Sequence, residues 1–269
     1  MTSLHKNLVV ALTSVIAWGL GLAGVVLGAA PRAERVELFQ AVEDKQIDVR
    51  LIPKDATQAT VIITNKTDRP LSIQMPDAFV GMPVLAQAGN ANRVGGGGNN
   101  TSNSSNQSMG GGFGGGMGMG GMGMGGFFDV GPDRISKIKV ATVCLEHGKE
   151  DPNPRVAYEM KPISEFTDKV EVAEICRMLA AGKLDQPSAQ AAAWHLTDGL
   201  SFQQLAGKVR VQHLNGQVEL YFHPRQLTTA MQAVHVAHRR AAEAQAAAES
   251  TSPGEQADAA ARAATVSVK

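Results

Sequence analysis

The chain has no excess of either charge: 25 Lys and Arg offset 25 Asp and Glu over 269 residues. A neutral chain creates no field that gathers nucleic acid or anionic lipid, so neither is expected as a partner. Common enzyme signatures are also missing. No His-Glu-x-x-His, Gly-x-Ser-x-Gly or P-loop pattern occurs, and no cofactor-binding motif is present. Histidine is absent between His5 and His147, and Cys144 and Cys176 are the only cysteines. His213, His223, His235 and His238 are scattered, and the pair His235 and His238 reads as a solvated helix face. Glu43 with Asp44, and Glu150 with Asp151, are neighbours in sequence, so on a strand they point to opposite faces and make poor acid/base partners. These absences point to a non-catalytic protein.

What is present begins with Lys6 and the uncharged apolar stretch from Leu8 to Ala30. A basic start followed by such a stretch is the pattern of an export signal, which places the remainder on the periplasmic or extracellular face. At about 1.5 Å per residue the stretch also matches the roughly 30 Å of a bilayer core. It therefore suits a cleaved signal peptide or a transmembrane helix that anchors the chain. Gly28-Ala29-Ala30 favours cleavage, whereas Pro31 just beyond it favours retention. Residues 1–31 are assigned to one of these two roles, and an envelope or extracellular protein or glycan is the expected partner. In an oxidising compartment, Cys144 and Cys176 are expected to form a disulfide between a strand and a helix.

From Val36 to Pro162 the apolar period is two. Ile47 to Leu51 alternates, Thr60 to Thr64 is β-branched throughout, and Leu71 to Met75 alternates again after the turn Asn65 to Pro70. Further strands are expected over Phe79–Leu85, Phe127–Val130, Ile135–Leu145 and Val156–Met160. About seven short strands with frequent turns suggest an immunoglobulin-like β-sandwich over residues 36–164.

The period then changes. Thr167 serves as an N-cap before Val172, Ile175, Cys176 and Leu179 at helical spacing, and Gly182 suits the C-cap. Pro187 opens a second helix ending at Gly199, and Ser201 with Gln204 forms a capping box for a third. Asn215-Gly216 joins two strands in a hairpin. Leu227, Ala230, Met231, Val234 and Ala237 mark a last helix that projects as its apolar stripe fades. The expected fold is thus mainly β plus α: the sandwich, then a small helical module with one hairpin over 165–248, then a disordered tail over 249–269.

Gly95 to Gly126 holds 16 of the 29 glycines. Such a stretch buries too little apolar surface to offset its backbone entropy, so a disordered loop is expected over 88–126, between two strands of the sandwich. Its thioethers Met117, Met119, Met122 and Met124 form a candidate Cu(I) site of a periplasmic copper carrier, against the plainer reading of a flexible loop. Asn65-Lys66-Thr67 and Asn103-Ser104-Ser105 match the glycosylation pattern.

Cys144-Leu145-Glu146-His147 has the Cys-x-x-His spacing of a blue-copper site but lacks the upstream His such a site needs. A second pattern is broader. Cys144-Leu145, then Pro152 to Pro154, Tyr158, and Ala189-Gln190-Ala191-Ala192-Ala193-Trp194 follow one another over residues 140–202. This stretch resembles the thioester domains of bacterial surface adhesins, whose Gln lies in a Thr-Gln-x-Ala-Ile/Val-Trp motif. Ala189 and Ala193 replace the motif's Thr and branched residue. The resemblance implies a covalent adhesin in which the Cys144 sulfur acylates itself on Gln190, with Trp194 as a packing neighbour. The plainer reading of the same residues is a helix with Trp194 in the core and Gln190 in solvent. The stretch from Val143 to Phe202 also resembles uncharacterised exported bacterial proteins.

Overall fold

Alternating apolar residues build most of the β structure, and a glycine strand closes it. A computed structural model of the chain describes residues 33–84, 106–114, 122–123 and 126–250. Six antiparallel strands form a closed barrel. In chain order they are β2 (Ile47–Asp55), β3 (Gln58–Asn65), β5 (Phe79–Pro83), β6 (Met109–Gly111), β9 (Ile135–Cys144) and β10 (Tyr158–Pro162). Around the barrel the order is β10-β2-β3-β9-β6-β5, and β5 pairs with both β6 and β10. The last gap, between β10 and β2, is bridged through Tyr158 and Leu51.

This barrel replaces the expected immunoglobulin-like sandwich. The reason lies in β6, which comes from the middle of the glycine-rich run. With that run read as a disordered loop, β5 and β9 have no common neighbour and the strands divide into two sheets. With β6 between them, the sheet closes on itself. Residues 106–113 are buried, with Gln107, Ser108 and Met109 at 1%, 4% and 0% exposure.

Glycine is required here for close approach. A Cβ on Gly110 would lie 2.7 Å from the Cys176 sulfur, and one on Gly112 would lie 2.1 Å from the Asp77 carbonyl oxygen. Helix α2 (Val170–Ala180) runs against this strand, and Gly110, having no Cβ, leaves room for its Cys176 sulfur.

A smaller sheet comprises β1 (Glu34–Glu37), β4 (Leu71–Gln74), β8 (Phe127–Val130) and β7 (Met122–Gly123), with β1 and β4 parallel. The turn after β3 is fixed by Asn65, 1% exposed, whose Nδ2 donates to the carbonyls of Arg69, Val130 and Gly131 while Oδ1 accepts from Thr67. Asn65 is therefore closed to glycosylation; Asn103 lies outside the described residues. Helix α1 (Leu38–Glu43) stands where period two was expected, with Leu38 and Ala41 buried one turn apart.

Thr167 is not the N-cap of α2: that position falls on Lys169, which has no side-chain cap, and the Thr167 hydroxyl accepts the Lys169 N–H ahead of the helix. The later helices follow their caps. Helix α3 (Gln186–Asp198) starts at Asp185, which accepts the Ser188 N–H, and ends at Gly199 with φ 70°. Helix α4 (Phe202–Ala206) has the Ser201–Gln204 capping box, and β11 (Val209–Gln212) pairs with β12 (Val218–Leu220) across Asn215-Gly216. Helix α5 (Pro224–Ser250) buries Leu227, Ala230, Val234 and Ala237, while Met231 faces outward.

These helices do not form a separate module. Val143 of β9 and Leu145 just beyond it share one core with Val172, Ile175, Trp194 and Ala230. The barrel interior is a second core, built on Leu51, Val61, Ile63, Phe79, Met109 and Ile138. Ala189, Ala191, Ala192 and Ala193 are fully buried, so α3 is enclosed by β9, α2 and α5 rather than lying on the surface.

Among the described residues no helix is long and apolar enough to cross a membrane. The N-terminal stretch assigned as signal peptide or anchor, and the tail beyond residue 250, lie outside the described residues.

Candidate functional site

The site forms where β3 leaves the barrel wall. Thr142 still donates its N–H to Thr57 at 2.9 Å, but β3 has turned away before Cys144. The edge of β9 would be left with buried, unpaired peptide groups, and α3 supplies side chains in place of a strand. Gln186 Nε2 donates to the Thr142 carbonyl at 3.0 Å. One turn on, Gln190 binds Cys144 twice: Oε1 accepts the Cys144 N–H at 2.8 Å and Nε2 donates to the Cys144 carbonyl at 2.8 Å. Two glutamines at i and i+4 thus cap one strand edge. Gln190 is 2% exposed and Cys144 1% exposed. The reading that left Gln190 in solvent is overturned by this pairing, because an amide with both its groups satisfied can be buried.

The Cys144 sulfur lies 3.9 Å from the Ala56 carbonyl oxygen. Cys176 is elsewhere, on α2 against Gly110. Both cysteines are free thiols, so the expected Cys144–Cys176 disulfide is absent. The physical reason is placement, since each sulfur is enclosed by a different part of the helix–barrel interface. Burial pushes the Cys176 thiol up to about 12, with Arg177 opposing. It also pushes the Cys144 thiol far above the ordinary range, and Asp151 and Asp55 add to the shift. Both sulfurs are protonated at neutral pH.

The loop after Cys144 fastens β6. Glu146 accepts the Ser108 N–H at 2.8 Å, Gln107 donates its N–H to the Glu150 carbonyl at 2.9 Å, and Tyr158 Oη donates to the Gln107 carbonyl at 2.9 Å. Burial raises the Glu146 carboxyl, but hydrogen bonds from Lys149 and Ser108 outweigh it and hold it below its usual value. The same loop carries His147. Its backbone N–H is held by the Asp198 carboxylate at 3.1 Å, and its ring meets Trp194 edge-on at 4.9 Å. Its Nε2 is 2.7 Å from Lys208 Nζ. That ammonium also lies over the rings of Trp194, at 5.2 Å, and Tyr221, at 5.4 Å. Burial lowers the His147 pKa, Lys208 lowers it further, and Asp198 opposes both. Trp194 is 4% exposed, and its Nε1–H has no acceptor among the described residues.

The structure thus brings Cys144 and Gln190 together and sets Cys176 apart. It also adds His147, Lys208 and Tyr221, which the sequence pattern does not connect with Gln190. Only the Cys144–His147 spacing hinted at any of them. Met117, Met119 and Met124 lie outside the described residues, and of Met122 only the β7 backbone is described. No cluster of three or more His, Cys, Asp or Glu suited to a metal occurs among the described residues. Comparison with known proteins finds no family model, no curated protein and no solved structure that matches the chain.

Proposed function

We propose that this chain is an exported binding protein of the cell envelope that holds its partner covalently, through an internal thioester between Cys144 and Gln190. One observation carries the reading: the carboxamide of Gln190 is buried against the backbone N–H and carbonyl of Cys144, from an element 46 residues away in sequence. In forming the bond, the Cys144 sulfur attacks Gln190 Cδ, the thiol proton passes to Nε2, and Nε2 leaves as ammonia. An amine of the partner then attacks the same carbon, forms an amide and returns the sulfur as a thiol. Each molecule acts once, so the protein is not an enzyme.

The local geometry favours this acyl chemistry. Negative charge developing on Oε1 falls on the Cys144 N–H, already 2.8 Å away. A nucleophile whose own backbone N–H steadies the oxyanion is the arrangement that acyl-transfer sites use. Burial that penalises a thiolate does not penalise a neutral thioester, and the enclosed site excludes the water that would hydrolyse it.

Methylamine tests the reading. Native protein should convert Gln190 to its N-methylamide, seen by peptide mapping, and Cys144→Ala should not. An unmodified Gln190 in the wild type contradicts it. A non-covalent binding module is the second reading. It is favoured by the doubled hydrogen bond, which accounts for the burial of Gln190 as an edge cap alone.

A further inference from the structure

Lys208 occupies a setting that surface lysines seldom have. Its ammonium rests on two aromatic faces, Trp194 and Tyr221, and meets the Nε2 of His147 at 2.7 Å. Aromatic faces and an imidazole acceptor are the groups that recognise an alkylammonium ion. The walls of this cage adjoin the Cys144–Gln190 junction along the chain. His147 is three residues from Cys144, and Trp194 is one helical turn from Gln190. Trp194 adds a buried Nε1–H without an acceptor, a vacant donor on the same wall.

Resting on the thioester reading above, we infer that the His147–Trp194–Tyr221 cage is the subsite for the attacking amine, and that Lys208 is a built-in occupant that the partner's lysine displaces. The incoming ammonium gives a proton to His147 Nε2, which releases it to water, and the freed amine attacks Gln190 Cδ. As the carbon–sulfur bond breaks, the attacking nitrogen gives its second proton to His147, which passes it to the Cys144 sulfur. Alkylammonium and thioester thus become amide, thiol and one proton released to water. The charged groups facing His147 are Lys208 and Asp198, and Arg210 lies over the Tyr221 ring at 5.0 Å.

The test compares wild type, Lys208→Met and His147→Gln as full chains, by intact mass and by the rate of methylamine uptake. All three should carry the ammonia deficit. Lys208→Met should take up methylamine about tenfold faster, because the cage is open and the imidazole free. Its pH midpoint should also rise, because the nearby positive charge is gone. His147→Gln should be about tenfold slower near neutral pH, with the gap narrowing in alkali where the amine is already unprotonated. A deficit in all three chains with equal rates overturns this inference and leaves the thioester standing. Loss of the deficit in either variant also overturns it, by placing that residue in bond formation. A Lys208–Gln190 linked peptide resistant to methylamine overturns it too, because Lys208 is then the acceptor. Absence of the deficit in the wild type removes the thioester and the inference together.

Discussion

Gly110→Ala changes the chain by one methyl group, yet its effect has opposite signs in a loop and in a barrel strand. In a solvated loop, adding a Cβ restricts the unfolded chain and stabilises by about 0.4–1 kcal/mol. In β6, the new Cβ falls 2.7 Å from the Cys176 sulfur and 3.1 Å from Leu145 Cδ2. Both neighbours are buried, at 0% and 1% exposure, so neither side chain can swing into solvent. Overpacking of this kind costs about 1–3 kcal/mol, a substantial part of the roughly 5–15 kcal/mol that holds a domain together. Cys176→Ala removes the obstructing sulfur at a cost of about 1–2 kcal/mol for the space left behind. In the double variant the methyl fills that space. Urea denaturation of the four proteins should therefore show a coupling of at least about 1 kcal/mol, the double variant being more stable than the sum of single losses allows. A neutral or stabilising Gly110→Ala, or costs that simply add, would refute the placement of the glycine run beneath α2.

In a Cys144→Ala background, where no thioester forms and the amide is intact, Gln190→Ala removes both partners of the residue-144 peptide groups and should destabilise by about 2–4 kcal/mol, read from the denaturation midpoint; a loss under about 0.5 kcal/mol argues against the edge cap. Asn65→Ala, which strips the turn after β3 of its clip to Val130 and Gly131, should lose about 2–3 kcal/mol in the same assay. The raised Cys176 pKa sets an alkaline limit. Stability linked to the neutral thiol is complete below the unfolded value of 9.0 and is lost as pH rises towards about 12. Cys176→Ala should flatten that decline, and an unchanged slope contradicts the burial argument. His147 has the opposite sense: its folded pKa is depressed below 6.5, so its share of stability is present above that value and is lost as pH falls. Lys208→Met should shift that acid limb, seen by following the imidazole resonance against pH.

Local order was legible where local rules decide it. The capping box at Ser201, the turn at Asn215-Gly216 and the cap at Gly199 all stand where their residue types place them. The alternation over Ile47 to Leu51 and the β-branched run over Thr60 to Thr64 form neighbouring strands. What escaped depends on residues far apart. A glycine strand has no side-chain period to detect, and its stability comes from β5, β9 and α2 around it. Missing β6, the alternation pattern pointed to two sheets rather than a closed barrel. The disulfide expectation failed because spacing along the chain does not reveal which side of a helix–sheet interface each sulfur occupies. Gln190 was visible as part of a motif, but the strand edge it covers exists only once β3 has turned away.

Intact mass of the unboiled, amine-free chain tests the central claim most directly. The Cys144–Gln190 bond predicts a mass about 17 Da below that of the unmodified sequence, through loss of one ammonia, and restoration of the full mass by Gln190→Ala once the substitution is allowed for. A wild-type mass equal to that of the unmodified sequence would contradict the account and leave Gln190 as the cap of a strand edge.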